Sequence, residues 1–316
     1  MKILVTGGGG FIGSHLVDLL LSDGHFVRVL DNFSTGNRCN LQLEHDRLEV
    51  QQGDVRDPDT VARATTAIDA IVHLAAVASV QASVDDPVGT HQVNLIGTLN
   101  LLEAARKQGI KRFVFASSAA VYGDTQVLPV SESTPLAPLT PYAADKLASE
   151  YYIDFYRRQH GLEPVVFRFF NIFGPRQDPS SPYSGVISIF MQRAISGHPI
   201  TVFGDGEQSR DFVFVADLVG LLRKALLSSA PVCQPMNVGN RQATNLKQLL
   251  SMISSFNALP LQISYSAPRT GDIRFSLADN ARVQEQFAYA AHSSVEVGLK
   301  VTYDWYLSQH KQALSN

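Results

Sequence analysis

The sequence predicts an α/β protein: a doubly wound, mostly parallel sheet followed by a smaller C-terminal lobe. Three observations carry this reading. Short apolar runs alternate with helical segments of ten residues or more through the first half of the chain, the rhythm of strand–helix–strand crossovers. A glycine cluster at residues 7–13 joins the first apolar run to the first helical segment. Beyond about residue 172, Gly, Pro, Ser and Asp punctuate shorter elements. The expected division is therefore 1–171 and 172–316, with later segments returning to the first part.

In order, residues 3–6 read as a strand and 11–21 as a helix with 3.6-residue periodicity. Strands follow at 26–30, 48–51 and 70–74, then a long amphipathic segment at 87–108. A strand at 113–116 leads into a Pro/Ser/Thr-rich loop around 128–141, a second long helix at 141–160 and a strand at 164–169. The lobe contributes strands at 200–203 and 212–215, a helix near 217–228 and a final helix near 293–310. Its pieces are expected beside the carboxyl edge of the sheet, where open α/β sheets bind ligands, closing over part of the ligand.

The chain has 316 residues, 45% hydrophobic and 17% charged, enough to bury a sizeable core. A net charge of −3 gives no basic field for nucleic acid or an anionic membrane. The two cysteines, Cys39 and Cys233, have no metal or redox spacing and read as unpaired thiols in a reducing compartment. No metal site is expected. No apolar run reaches the roughly 18 residues of a membrane helix. The first residues run directly into a strand, so a cytoplasmic location is expected.

Thr6-Gly7-Gly8-Gly9-Gly10-Phe11-Ile12-Gly13 places glycines at Gly7, Gly10 and Gly13 between strand and helix. A turn there needs a residue without Cβ, the backbone must approach a pyrophosphate, and the helix must pack closely on the sheet. Amides at the helix start then face the phosphate charge. This context turns a weak motif into a Rossmann-type dinucleotide loop. Asp31 ends the second strand, 18 residues after Gly13. A carboxylate there accepts from adenosine ribose hydroxyls and repels a 2′-phosphate, so the expected cofactor is NAD rather than NADP, although Arg38 lies near. Gly53-Asp54-Val55 closes the third strand at the adenine end.

Tyr142 and Lys146 stand four residues apart on one face of a helix. A free phenol, with a pKa near 10, is a poor base at neutral pH. A neighbouring ammonium and a positive nicotinamide ring favour the phenolate. Ser117-Ser118 ends the strand before this helix, where the Ser118 hydroxyl can bond the reacting oxygen and pass its proton to Tyr142.

Taken together these residues resemble the extended short-chain dehydrogenase/reductase family, and within it the nucleotide-sugar 4-epimerases. The resemblance spans nearly the whole chain: TGGGGFIG (6–13), Asp31-Asn32, HLAA (73–76), SSAAVYGD (117–124) and PYAADK (141–146). It continues through FRFFNIFGPRQDP (167–179), FGDGEQSRDFVFVADL (203–218) and PRTGDIRFSLAD (268–279). It implies cofactor contacts from Gly7, Gly10, Phe11, Ile12, Gly13, Asp31, Asn32, Ser34, Gly36, Asp54, Val55, Leu74, Ala75, Ala76, Asn94, Tyr142, Lys146 and Phe170. It implies Ser118, Tyr142 and Lys146 as the catalytic set, the first two also touching substrate. It further implies a UDP-sugar held by Asn171 at the diphosphate with backbone contacts from Val186 and Ile187. Val202 and Phe203 would border the uracil, Arg210 and Arg269 the diphosphate and ribose, and Asp272 the uridine ribose. Guanidinium forks suit phosphate oxygens.

Departures narrow the activity. Related 4,6-dehydratases carry an Asp-Glu pair just after the catalytic hydroxyl; here that stretch is Ala119-Ala120. The glutamate usual in decarboxylating relatives is also missing, and Ala78 stands where hexose-specific epimerases often have lysine. What remains is reversible oxidation at one carbinol, with the cofactor kept in place. Seven residues after Arg269 stands Ser276, where glucose/galactose-restricted relatives carry tyrosine. The smaller side chain leaves room for an N-acetyl group, so UDP-GlcNAc/UDP-GalNAc interconversion is favoured, with UDP-Glc/UDP-Gal as an accepted pair. The alternatives are a nucleotide-4-keto-sugar reductase and a non-catalytic NAD-sensing regulator. The resemblance also implies a homodimer paired through helices 87–108 and 141–160.

Overall fold

The computed structural model describes residues 1–178, 185–229, 232–268 and 273–315. The strands in chain order are β1 Lys2–Thr6, β2 Phe26–Asp31, β3 Leu48–Gln52, β4 Ala70–His73, β5 Arg112–Ser118 and β6 Glu163–Phe169. They continue with β7 Asn171–Phe173, β8 Ile200–Phe203, β9 Ser209–Phe214, β10 Met236–Val238, β11 Ala243–Asn245 and β12 Ile263–Ser266. The helices are α1 Phe11–Ser22, α2 Pro58–Thr65, α3 Val80–Asp85, α4 Pro87–His91, α5 Gly97–Gln108 and α6 Pro141–His160. After them come α7 Val186–Ile195, α8 Val215–Leu227, α9 Leu246–Phe256, α10 Ala281–Phe287 and α11 Val295–Ser315. The chain forms two compact units: Met1–Asp124 with Glu132–Phe169 and Val219–Asn237, and Thr125–Ser131 with Phe170–Leu218 and Val238–Asn316.

The first unit is built on a seven-stranded sheet in the order β3-β2-β1-β4-β5-β6-β10. The pairs β1/β2, β2/β3, β1/β4, β4/β5 and β5/β6 are parallel. Helices cover both faces, so the strands read as continuous apolar runs: Ile3, Leu4 and Val5 are fully buried, as are Ile71 and Val72. Strand order reverses beside β1, with Thr6 in register with His73 of β4. Ligands of doubly wound sheets bind at this switch point, past the carboxyl ends of the strands.

The amphipathic segment 87–108 is not one regular helix. A π turn, Gln92–Ile96, separates α4 from α5. Such single π turns are frequent at functional sites. Gly97 makes close packing possible just after it, since a Cβ would lie 2.6 Å from Val55. α6 starts on the Thr140 cap and Pro141, and ends at Gly161 in the left-handed region with φ of 66°. The face of α6 turned inward is unusual: Asp145, Lys146, Ser149 and Glu150 are all buried there.

In the second unit β7 and β11 flank β9, and β8 pairs with β12. Helices α7, α9 and α11 pack on one another. Gly298 of α11 lies where a Cβ would stand 2.8–2.9 Å from the Phe173 and Phe214 rings. Among the described residues no helix is long and apolar enough to cross a membrane, and no group of His, Cys, Asp and Glu could hold a metal ion.

Candidate active site

The glycine loop leaves β1 and enters α1 at the switch point. Gly7 has φ of +70°, and a Cβ on it would lie 2.8 Å from the Ala75 amide nitrogen. At Gly13 a Cβ would fall 2.1 Å from the Gly7 carbonyl. Only hydrogen fits at either place. The helix cap, Gly10, contributes no side-chain hydrogen bond to the first turn of α1. The first amides of α1, at Phe11 and Ile12, therefore face a cradle without a side-chain acceptor, an arrangement suited to a pyrophosphate.

Asp31 is tied to this loop. Its Oδ2 accepts from the Gly9 amide at 2.8 Å and its Oδ1 from Phe33 at 2.8 Å. Gly36 packs against the same group, since a Cβ there would stand 3.0 Å from Asp31 Oδ2. The Ser34 amide bonds Asn32 Oδ1 at 3.0 Å. The Gly9 carbonyl accepts from the Asn37 amide and from Asn40 Nδ2. Arg38, the residue that left NADP open, lies over the Phe33 ring at 4.6 Å and bonds Gln52 at 2.9 Å. At the adenine end Asp54 accepts from Arg56 and from Asn32, which holds its carboxyl down to about 2. Val55 is buried in the core, leaving its backbone for any contact.

Leu74, Ala75 and Ala76 follow β4, and the Leu74–Ala75 backbone lies against Gly7. The Ala75 amide donates to Thr6 Oγ1 at 3.2 Å. His73, fully buried, bonds Thr6 at 2.8 Å and Thr98 at 3.0 Å. Because the Thr98 hydroxyl donates to the Asn94 carbonyl at 2.6 Å, His73 Nε2 carries the proton and Nδ1 accepts from Thr6. Burial, aided by Lys146, pushes this imidazole down to about 3, so it stays neutral. Asn94 sits in the π turn with both ends of its amide spent on Val77, at 2.8 and 3.1 Å. Its side chain thus braces the 74–77 loop.

Ser118, Tyr142 and Lys146 converge in the first unit. The Ser118 hydroxyl caps the turn after β5, accepting from Ala120 at 3.2 Å, and is hydrogen-bonded to Tyr142. Lys146 Nζ donates to the Ala116 carbonyl at 2.7 Å, lies 4.8 Å from the Phe115 ring centre and 5.9 Å from that of Tyr142. Burial pulls the ammonium down to about 8 against the opposing pull of Asp145 and Glu150. Without the nicotinamide charge, burial raises the Tyr142 phenol above its ordinary value, and the Ser118 bond opposes that rise.

In the second unit Asn171 opens β7, while Phe170 is buried with its amide on the Val238 carbonyl at 3.1 Å. Val186 and Ile187 begin α7, whose cap Gly185 offers no side-chain bond to its first turn. Phe203 lines a cavity of about 490 Å³ together with Gly204, Gln208, Ser266 and Arg274. Val202 is only 1% exposed, so its side chain belongs to the core and only its backbone can serve a ligand. Arg210 leans along β9, with Nη1 on the Ser209 carbonyl at 2.9 Å. Ser276 is half-buried, its amide also on Ser209 at 3.1 Å. Arg269 and Asp272 lie outside the described residues.

Several residues that organise the site received no role from the sequence: Thr6, His73 and Thr98, and the buried set Ser117, Glu150 and Arg168. Spacing gave one usable signal, since Glu150 falls one helical turn after Lys146.

The chain matches the NAD dependent epimerase/dehydratase family over residues 3–239. It is 39% identical over 310 residues to the UDP-glucose 4-epimerase of Mycolicibacterium smegmatis, covering 97% of this chain and 98% of that one. It is similar to the crystal structure of UDP-glucose 4-epimerase with UDP-glucose from Thermotoga maritima, with 36% identity, a TM-score of 0.92, and 98% and 100% of the two chains covered. It is also similar to the UDP-N-acetylglucosamine 4-epimerase of Methanobrevibacter ruminantium in complex with UDP-N-acetylmuramic acid. There identity is 36%, the TM-score 0.93, and 98% of each chain is covered. The family match runs from the first strand through the last strand of the large sheet and takes in the whole glycine cradle. The chain belongs to the NAD dependent epimerase/dehydratase family, with NAD as its cofactor.

Proposed function

We propose that the protein inverts C4 of UDP-hexoses, with UDP-GlcNAc and UDP-GalNAc the favoured pair and UDP-Glc and UDP-Gal also accepted. The observation that carries this is the Ser118–Tyr142–Lys146 cluster of the first unit, on a fold whose glycine cradle and Asp31 suit NAD. The turn after Ser118, Ala119–Tyr122, carries no carboxylate for water loss, which supports simple oxidation and re-reduction.

Tyr142 takes the proton from O4 and later returns it; Ser118 hydrogen-bonds the reacting oxygen. Held by the glycine cradle and Asp31, NAD would supply the acceptor and donor of the C4 hydride. With NAD bound, the positive nicotinamide ring and Lys146 would together favour the phenolate against the burial that raises Tyr142 in the cofactor-free protein. The 4-keto sugar turns about its bonds to the diphosphate and presents the opposite face. Asn171, Arg210, Arg269 and the first amides of α7 are assigned to the diphosphate, Phe203 and the Val202 backbone to uracil, and Asp272 to the ribose. Ser276 is assigned to the space around the sugar C2 substituent.

The protein is also proposed to act as a cytoplasmic homodimer. Both cysteines are free and exposed, as a reducing compartment allows. Val84, Val88, Tyr151, Tyr152 and Phe155 are exposed on α3, α4 and α6, an apolar surface fit for a second copy.

The test is to incubate the protein separately with UDP-GlcNAc and UDP-Glc and to resolve the products by chromatography. UDP-GalNAc formation is expected. Formation of UDP-Gal alone overturns the sugar assignment, and no product from either overturns the reaction. Tyr142→Phe should abolish turnover while the protein stays folded; full residual activity would remove Tyr142 from the mechanism.

A further inference from the structure

Behind the catalytic cluster lies a polar network with no place in the chemistry described so far. Glu150 and Arg168 form an ion pair in which each side chain is only 5% exposed. Glu150 Oε2 accepts from Arg168 Nη2 at 2.6 Å, and its Oε1 from Arg168 Nε at 3.0 Å. The same Oε1 accepts from the Ser117 hydroxyl at 2.5 Å. Arg168 Nη1 then donates to the Tyr122 hydroxyl at 2.9 Å, and Tyr122 donates to Asn237 Oδ1 at 2.7 Å. A buried ion pair adds little net stability, since a well-packed apolar replacement often does as well. Its value is to be sought in what it holds.

Ser117 is the neighbour of Ser118 on β5. Glu150 lies one turn after Lys146 on α6, and Arg168 stands on β6. The geometry points to Glu150 as a positioning residue: its carboxylate fixes β5 and β6 to the α6 turn that carries Lys146, keeping Ser118, Tyr142 and Lys146 in register and Lys146 charged. This rests on the assignment of Ser118, Tyr142 and Lys146 made above.

The surroundings of Lys146 support the second half. Facing it are Tyr142, Asp145 and Glu150 from α6, neutral His73 from β4, and the Phe115 ring and Ala116 carbonyl from β5. Arg168 of β6 stands behind Glu150, and His91 of α4 behind Asp145 at 2.8 Å. Burial drives Lys146 toward its neutral form; only the two carboxylates oppose it.

The test follows epimerisation of UDP-GlcNAc and UDP-Glc by the NAD-loaded protein from about pH 6 to about pH 10, where both limbs of the profile are read. Glu150→Gln keeps the hydrogen-bonding shape and removes the charge. Expected are a fall in kcat of about 10- to 100-fold with KM changed by about twofold or less, and an alkaline limb moved to lower pH. Glu150→Gln/Arg168→Met leaves no charge unpaired and is read whether or not the single variant folds. It should melt near the wild type yet keep the low kcat and the displaced limb. Wild-type kcat and pH profile in either folded variant overturn the proposal. Tyr142→Phe runs alongside: if it turns over, the site assignment fails; if it is dead while Glu150→Gln behaves as wild type, only the positioning role fails.

Discussion

Replacing Lys146 by methionine should make the folded protein more stable while it loses its catalysis. Lys146 is 3% exposed, and its pKa falls from 10.5 to about 8 in the folded protein. Between those values the unfolded chain binds more protons than the native state. This group's contribution therefore rises with pH, and its full cost is present below about 8. The displacement corresponds to about 3 kcal/mol at pH 7. Methionine fills similar space without charge but leaves the Ala116 carbonyl without its donor, which returns about 1 kcal/mol. A net gain of about 2 kcal/mol should appear as a higher urea midpoint in the cofactor-free protein. The advantage should shrink as pH rises from about 8 toward 10.5, because the wild-type lysine then sheds its proton. A variant less stable than wild type at pH 7, or an advantage that grows with pH, would refute the reasoning.

Three further substitutions probe the frame around the site. Asp31→Ala removes the acceptor of the Gly9 and Phe33 amides, bonds to a charged group worth about 1.5–3 kcal/mol each. The dissociation constant for NAD, titrated by fluorescence, should rise at least about tenfold; an unchanged value would remove Asp31 from the cradle. Gly13→Ala forces a Cβ onto the Gly7 carbonyl and should cost about 1–3 kcal/mol in melting experiments and weaken NAD binding. In the second unit Asp211 accepts from Asn240, Arg241 and Ala278 with a fully buried carboxylate. Burial raises this carboxyl to about 6, so at neutral pH Asp211→Asn relieves a buried charge while it turns an NH2 group toward one or more of those donors. The variant should lose more stability in urea at about pH 5 than at about pH 8, and an equal loss at both would contradict this network.

Sequence logic reached the cofactor half furthest because its constraints are local. A glycine that must accept φ of +70°, a carboxylate at the end of β2, and a phenol and ammonium one turn apart each leave a mark within a few residues. What escaped depends on distance along the chain. β10 is three residues from a Pro-punctuated stretch, yet it completes a sheet whose neighbouring strand, β6, ends at Phe169. β7 and β11, also three residues each, are too short to show an alternating pattern. The π turn was invisible for a different reason. Periodicity over 87–108 fits an unbroken helix, and the break is recorded only in partners such as Val77 and Thr98.

The same distinction applies to α6, the helix that carries most of the site's buried polar groups. A helix that exists to cover a sheet turns leucines inward. This one turns Asp145, Lys146, Ser149 and Glu150 inward and leaves Tyr151, Tyr152 and Phe155 outside. Burying that face costs desolvation of charge, and the cost is limited by fixed partners: Ala116 for Lys146, Arg168 and Ser117 for Glu150, His91 for Asp145. The partners come from three elements, β5, β6 and α4, so the charges on α6 can be kept only in one arrangement of those elements around it. Stability given up at Lys146 is thereby converted into a fixed geometry at Ser118 and Tyr142, which a catalyst needs and an apolar core would not supply.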